Sequence, residues 1–261
     1  MNRQRKMIVA LALVLCSFCM SPVKAQTESG LLLSASAEKK VNKQFSVGAE
    51  ADFRTRNDFK TVDCWSIGLG ADYKLTKWLK ADAGYSLLNS NFREKVAGYT
   101  SGKGNDKVKW RPSYWGLRHR FYASLTANQK VWSDLRLSVR ERWQYTYRPS
   151  KAVERWKLDT DDRTMELDND YVRSGKGKNQ LRSRLQLSWD KKRARFTPFA
   201  SAEFYNSWAI EKVRYTVGTD IRLSKQHGLS VYYRFQDMHN VDEEDYDPDM
   251  HYVGIGYEVK F

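Results

Sequence analysis

The chain has 261 residues, a formal net charge of +14 and three cysteines, a length that allows one or two ordinary domains. Beyond the first 25 residues no stretch approaches the roughly 20 apolar residues of a spanning helix, which excludes a helical membrane protein. The mean hydropathy of −0.70 would by itself point to a water-soluble chain, but barrel strands give a weak hydropathy signal because half of each faces a polar interior.

Residues 1–25 are a different kind of text. MNRQRK is basic, MIVALALVLCSFCM is apolar, and Val23-Lys24-Ala25 fills the positions a signal peptidase reads. The expectation is a signal peptide over 1–25, cleaved before Gln26, followed by one domain over 26–261. The apolar run is too short to anchor in a membrane. Cys16 and Cys19 follow Leu15 and Phe18, not the small residues that lipoprotein processing needs. Cleavage would remove Arg3, Arg5, Lys6 and Lys24 and no acid, leaving a charge of about +10. Only Cys64 would remain, so the exported chain cannot form an internal disulfide.

The rest alternates between apolar and polar side chains, the period of a β-strand with one greasy face. A first strand is expected near 31–39. Segment 45–54 places Phe45, Val47, Ala49, Ala51 and Phe53 on one face. Segment 65–74 places Trp65, Ile67, Leu69, Ala71 and Tyr73 there, and segment 79–87 sorts likewise. Segments 115–126, 135–148, 181–189, 213–223 and 229–235 repeat the theme; Glu141 breaks the second of them. Segment 196–207 is less regular, and Pro198 predicts a strand end or bulge there. The last segment carries Val253, Ile255, Tyr257, Val259 and Phe261 on one face. Each run is near the length of a tilted membrane strand. Short Lys-rich turns alternate with long connections at 93–112 and 149–179 and a smaller one at 240–249. That asymmetry, with Tyr and Trp at strand ends, predicts an all-β, antiparallel transmembrane barrel of about 10–12 strands in the outer membrane. The alternative is a soluble periplasmic β-protein that binds a ligand. Eleven strands are countable. An odd number leaves the first strand starting at the long-loop side or pairing parallel with the last, unless a strand is missed or wrongly split, or the N-terminal segment threads the lumen.

The turn at Tyr73–Leu79 and the stretches RHRFY (118–122), LSVRERWQY (137–145), LRSRLQLSW (181–189), VRYTVGTDIRLSKQHGLSVYYRFQD (213–237) and YVGIGYEVKF (252–261) resemble the Bacteroidota outer-membrane family catalogued as domain of unknown function 2490. The resemblance covers nearly the whole chain after the signal. It implies a barrel and no activity. The terminal aromatic, with Tyr257 and Val259, resembles the signal read by barrel-assembly machinery, an expected partner alongside outer-membrane lipids and lipopolysaccharide.

If the apolar faces point outward, the lumen can be read off. Its bases are Arg54, Lys74, Lys80, Arg118, Arg120, Arg136, Arg140, Arg142, Arg148, Arg182, Arg184, Arg214, Arg222, Arg234 and Lys260. Its acids are Glu38, Glu50, Asp52, Asp72, Asp82, Glu203, Asp220 and Glu258. Segments 115–126, 135–148 and 181–189 place no acid on that face. Paired charges would pack the interior shut; unpaired arginines would line a path that favours anions or phosphates. The reading is therefore a narrow, anion-leaning pore, or porin, or an envelope-structure protein. The other class is a barrel enzyme acting on lipid or peptide, with His119 beside a Ser on a neighbouring strand, but no spacing supports a catalytic set. No cofactor or metal is expected. The acidic stretches 159–170 and 241–249 lack the Gly of a Ca²⁺ loop and read as solvated surface. The basic balance is accounted for by lumen and turns, not by nucleic acid. Cys64 reads as ordinary packing.

Overall fold

A computed structural model describes residues 27–100, 106–159, 164–168, 170–191, 194–239 and 247–261. The expected signal peptide and most of the acidic stretch 241–249 lie outside these residues. Among the described residues there are seventeen strands and no helix. In chain order they are β1 (Thr27–Lys40), β2 (Phe45–Arg56), β3 (Thr61–Lys74), β4 (Leu79–Phe92), β5 (Lys95–Thr100), β6 (Asp106–Arg111), β7 (Tyr114–Lys130) and β8 (Leu135–Arg148). There follow β9 (Lys151–Ala152), β10 (Trp156–Asp159), β11 (Thr164–Leu167), β12 (Val172–Arg173), β13 (Lys176–Trp189), β14 (Phe196–Asn206), β15 (Ile210–Arg222), β16 (His227–Met238) and β17 (Asp249–Lys260).

Eleven of them close a barrel in the order β1-β17-β16-β15-β14-β13-β8-β7-β4-β3-β2. Every neighbouring pair is antiparallel except one: β1 runs parallel to β17, with Thr27 opposite Asp249 and Glu38 opposite Lys260. The odd count is thus accommodated by parallel pairing of the first strand with the last. The register respects the alternation, since Leu31 and Leu33 lie beside Val253 and Ile255, and Ser34 beside Gly256. The chain enters the barrel at the long-loop end and leaves it at the short-turn end. Phe261 still belongs to the seam, its N–H donating to Glu38 O at 2.9 Å while its carbonyl accepts from Lys40 N at 3.2 Å.

The sorting of side chains is the reverse of a soluble barrel. Ile67, Leu69, Phe121, Leu125, Trp143, Leu185, Val217 and Ile255 lie exposed on the outer wall, Leu69 to 68%. The buried side chains are mostly polar: Ser46, Ser86, Ser124, Gln144, Gln180, Glu203, Thr216 and Gln236. One charged residue interrupts the outer wall at mid-height. Glu141 is the seventh of the fourteen residues of β8, and its Oε2 accepts from Ser183 Oγ of the adjoining strand at 2.7 Å.

Two expectations need adjustment. Pro198 sits inside β14, paired only with Thr219 of β15 where β13 no longer pairs, so its missing N–H leaves no bond unmade on the β13 side. The irregularity of this segment falls instead at Tyr205/Asn206, where the register shifts against β15. The long connections also carry structure of their own. β11-β10-β6-β5 form a small sheet above the barrel, and β9 pairs with β12. In that lobe Arg155 Nε donates to Asp168 Oδ2 at 2.7 Å, and with Lys157 at 3.3 Å it holds the carboxyl below the usual aspartate range. Arg155 also lies 3.6 Å from the ring centroid of Tyr171.

Tyrosine rings laid over glycines fill the interior. A Cβ on Gly254 would collide with the Tyr232 ring, and one on Gly84 would stand 2.5 Å from the Tyr122 hydroxyl. Gly254→Ala is expected to destabilise the barrel by about 1–3 kcal/mol through overpacking, and Tyr232→Ala in the same chain to recover much of the loss. Urea titration followed by the gel-mobility difference between folded and unfolded barrel measures both.

Candidate functional site: an arginine-rich lumen

Alternation on β8 and β13 stacks four arginines in a block, with Arg142 opposite Arg182 and Arg140 opposite Arg184. Like charges directly opposite one another are unfavourable. The block is relieved from both sides. From β14, Glu203 accepts Arg140 Nη2 at 2.6 Å and Arg182 Nη2 at 3.1 Å. From β4, Asp82 accepts Arg142 Nη2 at 3.2 Å, with Ser124 Oγ donating to the same carboxylate at 2.8 Å. Tyr205 OH donates to Glu203 Oε2 at 2.9 Å and itself accepts from Arg214. Arg214 is also the direct neighbour of Glu203 on β15 and donates through Nε to Gln236 at 2.8 Å. One buried carboxylate therefore gathers Arg140, Arg182 and, through Tyr205, Arg214. Arg184 has no carboxylate within ion-pair distance among the described residues, and its Nε is buried without a hydrogen-bond partner.

These groups form a waist. Toward the short turns lies a cavity of about 780 Å³ bounded by Glu50, Asp72, Asp82, Arg136, Arg140, Arg142, Arg184, Asp220, Arg222 and Glu258. Toward the long loops lie two adjoining cavities of about 440 and 290 Å³ that share Phe92, Arg118, Lys212 and Asp247. No residue lines cavities at both ends, and Arg182, Glu203, Tyr205, Arg214, Arg234 and Asp52 line none of the three. The two ends differ in charge. The lower cavity has eight Lys and Arg against seven Asp and Glu. The upper pair has eleven against four among the described residues.

The structure places the predicted lumen residues as follows. Arg118 Nη2 donates to Ser90 Oγ, Arg120 Nε to Thr146 Oγ1 at 3.4 Å, and Arg234 Nε to Thr216 Oγ1 at 3.1 Å. Arg136 pairs with Asp190 at 2.5 Å at the lower rim, where Arg222 also lies. Glu50 accepts from Ser86, and Asp52 from Ser66, each at 3.3 Å. Asp72 pairs with Lys80 at 2.6 Å, Asp220 accepts from Ser230 at 2.5 Å, and Glu258 pairs with Lys260 at 2.9 Å. Tyr257, Val259 and Phe261 occupy the outward parity of β17, with Tyr257 and Phe261 exposed. Cys64 is buried and accepts from Ser90 Oγ at 3.4 Å.

Sequence reasoning put Arg54, Arg118, Arg120 and Arg148 in the lumen but missed the other charged groups of the upper mouth. Arg56 and Arg54 share Asp63. Arg93 forks onto Glu28 at 2.7 and 2.8 Å. Glu211 accepts from Gln180 at 2.6 Å and pairs with Lys178 at 2.5 Å. Lys212 was one residue outside the segment that began at Val213; carrying the alternation one step further would have found it. Three of the four histidines are engaged by tyrosines: His119 Nδ1 lies 2.8 Å from Tyr85 OH, His227 Nδ1 2.6 Å from Tyr257 OH, and His251 Nδ1 2.5 Å from Tyr233 OH, while His239 Nε2 lies 3.8 Å from Asp237. No group of three or more metal-ligating side chains occurs among the described residues.

A family model described as "Protein of unknown function (DUF2490)" matches residues 29–247. The chain belongs to that family. No curated protein matches. Among solved structures, one titled "CymD monoaromatic hydrocarbon channel" is similar over 80% of this chain and 82% of that chain, at 9% identity and a TM-score of 0.35.

Glu203 is the member whose loss leaves most unpaired. Glu203→Ala would strand Arg140 and Arg182 in side-chain environments only 13% and 12% exposed. Removing one partner of a buried ion pair costs about 3–5 kcal/mol. The midpoint of urea unfolding should fall accordingly, and Glu203→Gln, which keeps the acceptor oxygen, should cost less.

Proposed function

We propose that this family member is an integral outer-membrane barrel whose lumen is a narrow, anion-leaning passage held shut at its waist by the Glu203 network. The membrane half of the reading is carried by the inverted wall, since an apolar outer belt around a polar, charged interior is what lipid requires of a barrel. The anion half is carried by the excess of arginine, with Arg118, Arg120 and Arg184 lacking a carboxylate partner among the described residues. Rings of Arg or Lys are the usual means of favouring anions. Lipids and lipopolysaccharide would contact the outer wall, and barrel-assembly machinery would read the Tyr257, Val259 and Phe261 stripe. The reading is non-enzymatic: the His119 ring rests on Tyr85 on the outer wall, away from the lumen carboxylates.

The test is reconstitution of the folded protein in a planar bilayer under a salt gradient. Brief openings with an anion-favouring reversal potential are expected. Glu203→Gln should make them longer and more frequent, and Arg140→Glu should move the reversal potential toward cations. Silence from inserted wild type and Glu203→Gln alike would overturn the passage and leave an envelope-structure protein.

Glu141 tests the membrane reading by itself. A carboxylate at mid-height on a lipid-facing wall is unfavourable, so Glu141→Leu should stabilise the barrel in lipid. The gain should be smaller than the ~2–4 kcal/mol that a lipid-facing Arg or Lys costs at the midplane. A variant less stable in lipid than wild type would count against a lipid-facing wall.

A further inference from the structure

The upper cavities contain cations that the waist network does not use. Arg118, Arg120 and Lys212 all line the 290 Å³ cavity, and Arg118 and Lys212 also line the 440 Å³ one. Their contacts are weak for groups so enclosed. Arg118 reaches one hydroxyl, Ser90, and its Nε is buried without a partner. Arg120 reaches one hydroxyl, Thr146, at 3.4 Å. The Lys212 ammonium lies 4.8 Å from the centroid of the Tyr205 ring. None of the three has a carboxylate within ion-pair distance among the described residues, whereas Arg54, Arg56 and Arg93 in the same mouth all do. Two acids also line this cavity, but Glu211 is engaged by Lys178 and Asp247 by Arg93. Three enclosed cations with no carboxylate at ion-pair distance call for an anion, because an unpaired buried charge is costly. The cavity also offers neutral amides: Gln144 and Gln180 line it and are linked to each other by a 2.8 Å hydrogen bond.

We propose that the upper vestibule is a binding site for a phosphate group, held by Arg118, Arg120 and Lys212 above the closed waist. Phosphate suits the site better than a halide. It carries up to two charges, and its several acceptor oxygens can take a guanidinium fork and an ammonium together. The proposal rests on the reading of the lumen as an anion passage and adds to it the ligand class and the end at which the ligand is held. Free phosphate and a phosphate borne on a lipid headgroup present the same chemistry, and the test separates them.

Thermal unfolding of the detergent-folded protein is followed by gel mobility in inorganic phosphate and in chloride at equal ionic strength, without any measurement of conductance. Binding to the folded state alone raises the melting temperature with ligand concentration. Wild type is expected to show a saturable rise in phosphate. Lys212→Met and, independently, Arg120→Gln should each weaken the apparent affinity by tenfold or more. Arg222→Gln, at the opposite rim, should leave it unchanged. Two variants are used so that a folding defect in one leaves the other to decide. A rise that appears only with phosphorylated lipid and is lost in Lys212→Met assigns the site to a headgroup and still supports it. No rise with either source, or a rise of equal affinity in both variants, overturns the proposal. A saturable rise in a barrel that stays silent in bilayers would keep the site and discard the passage.

Discussion

Everything inside this barrel depends on finding acceptors for arginine. The outer wall takes the apolar half of each strand, so the polar half must be accommodated inside, and at the waist it is packed closely. On β8 and β13 that half is arginine opposite arginine, an arrangement that repels unless carboxylates reach in from neighbouring strands. Glu203 from β14 and Asp82 from β4 do so. The narrow waist follows from that need: side chains that reach over an intervening strand in order to pair, as Arg140 does to Glu203 and Arg142 to Asp82, take up lumen space. A breach at Glu203 therefore removes the pairing of the arginines and the packing of the waist through the same bonds.

The two ends of the lumen inherit different problems. Near the short turns acids and bases alternate closely, as in Asp72 with Lys80, Arg136 with Asp190 and Glu258 with Lys260, and the charge nearly cancels. Near the long loops the bases outnumber the acids. The pairing there is selective: Arg54, Arg56 and Arg93 have carboxylate partners, whereas Arg118, Arg120 and Lys212 have none within ion-pair distance among the described residues. An excess of one sign in a cleft raises the local concentration of the opposite ion.

Much of this was legible in the linear text, because a strand with one greasy face writes its geometry at period two. Segments such as 65–74 and 253–261 assign their faces without further help, and the strand count follows from repeating that exercise. What local alternation could not carry was anything settled between strands. The parallel pairing of β1 with β17 joins the two ends of the chain, and neither strand encodes its partner. The small sheet of β5, β6, β10 and β11 is made of strands of four to six residues, too short for a period to stand out. Glu203 appeared as one acid among eight. Its centrality came from Arg140, two strands away, which sequence spacing does not reveal. Lys212 was lost because the alternation was followed only from Val213, three residues after β15 begins at Ile210. Glu141 was visible as an exception, but Ser183, the group that steadies it, sits on another strand.

The seam between β1 and β17 also bears on how the barrel comes to exist. Most of the other barrel neighbours are hairpins joined by short turns, and even β4–β7 and β8–β13 are bridged by connections that fold back on themselves. Each can zip from its own turn at modest entropic cost. The seam must instead bring residues 27–38 against residues 249–260, so most of the chain becomes its closing loop. Topology of this kind makes the last join slow and leaves two unpaired edges waiting while the rest of the sheet is already built. Its ladder is also the one with slanted, slightly weaker bonds. A catalyst of folding that shields those edges until they meet would accelerate the step that this topology itself makes hard.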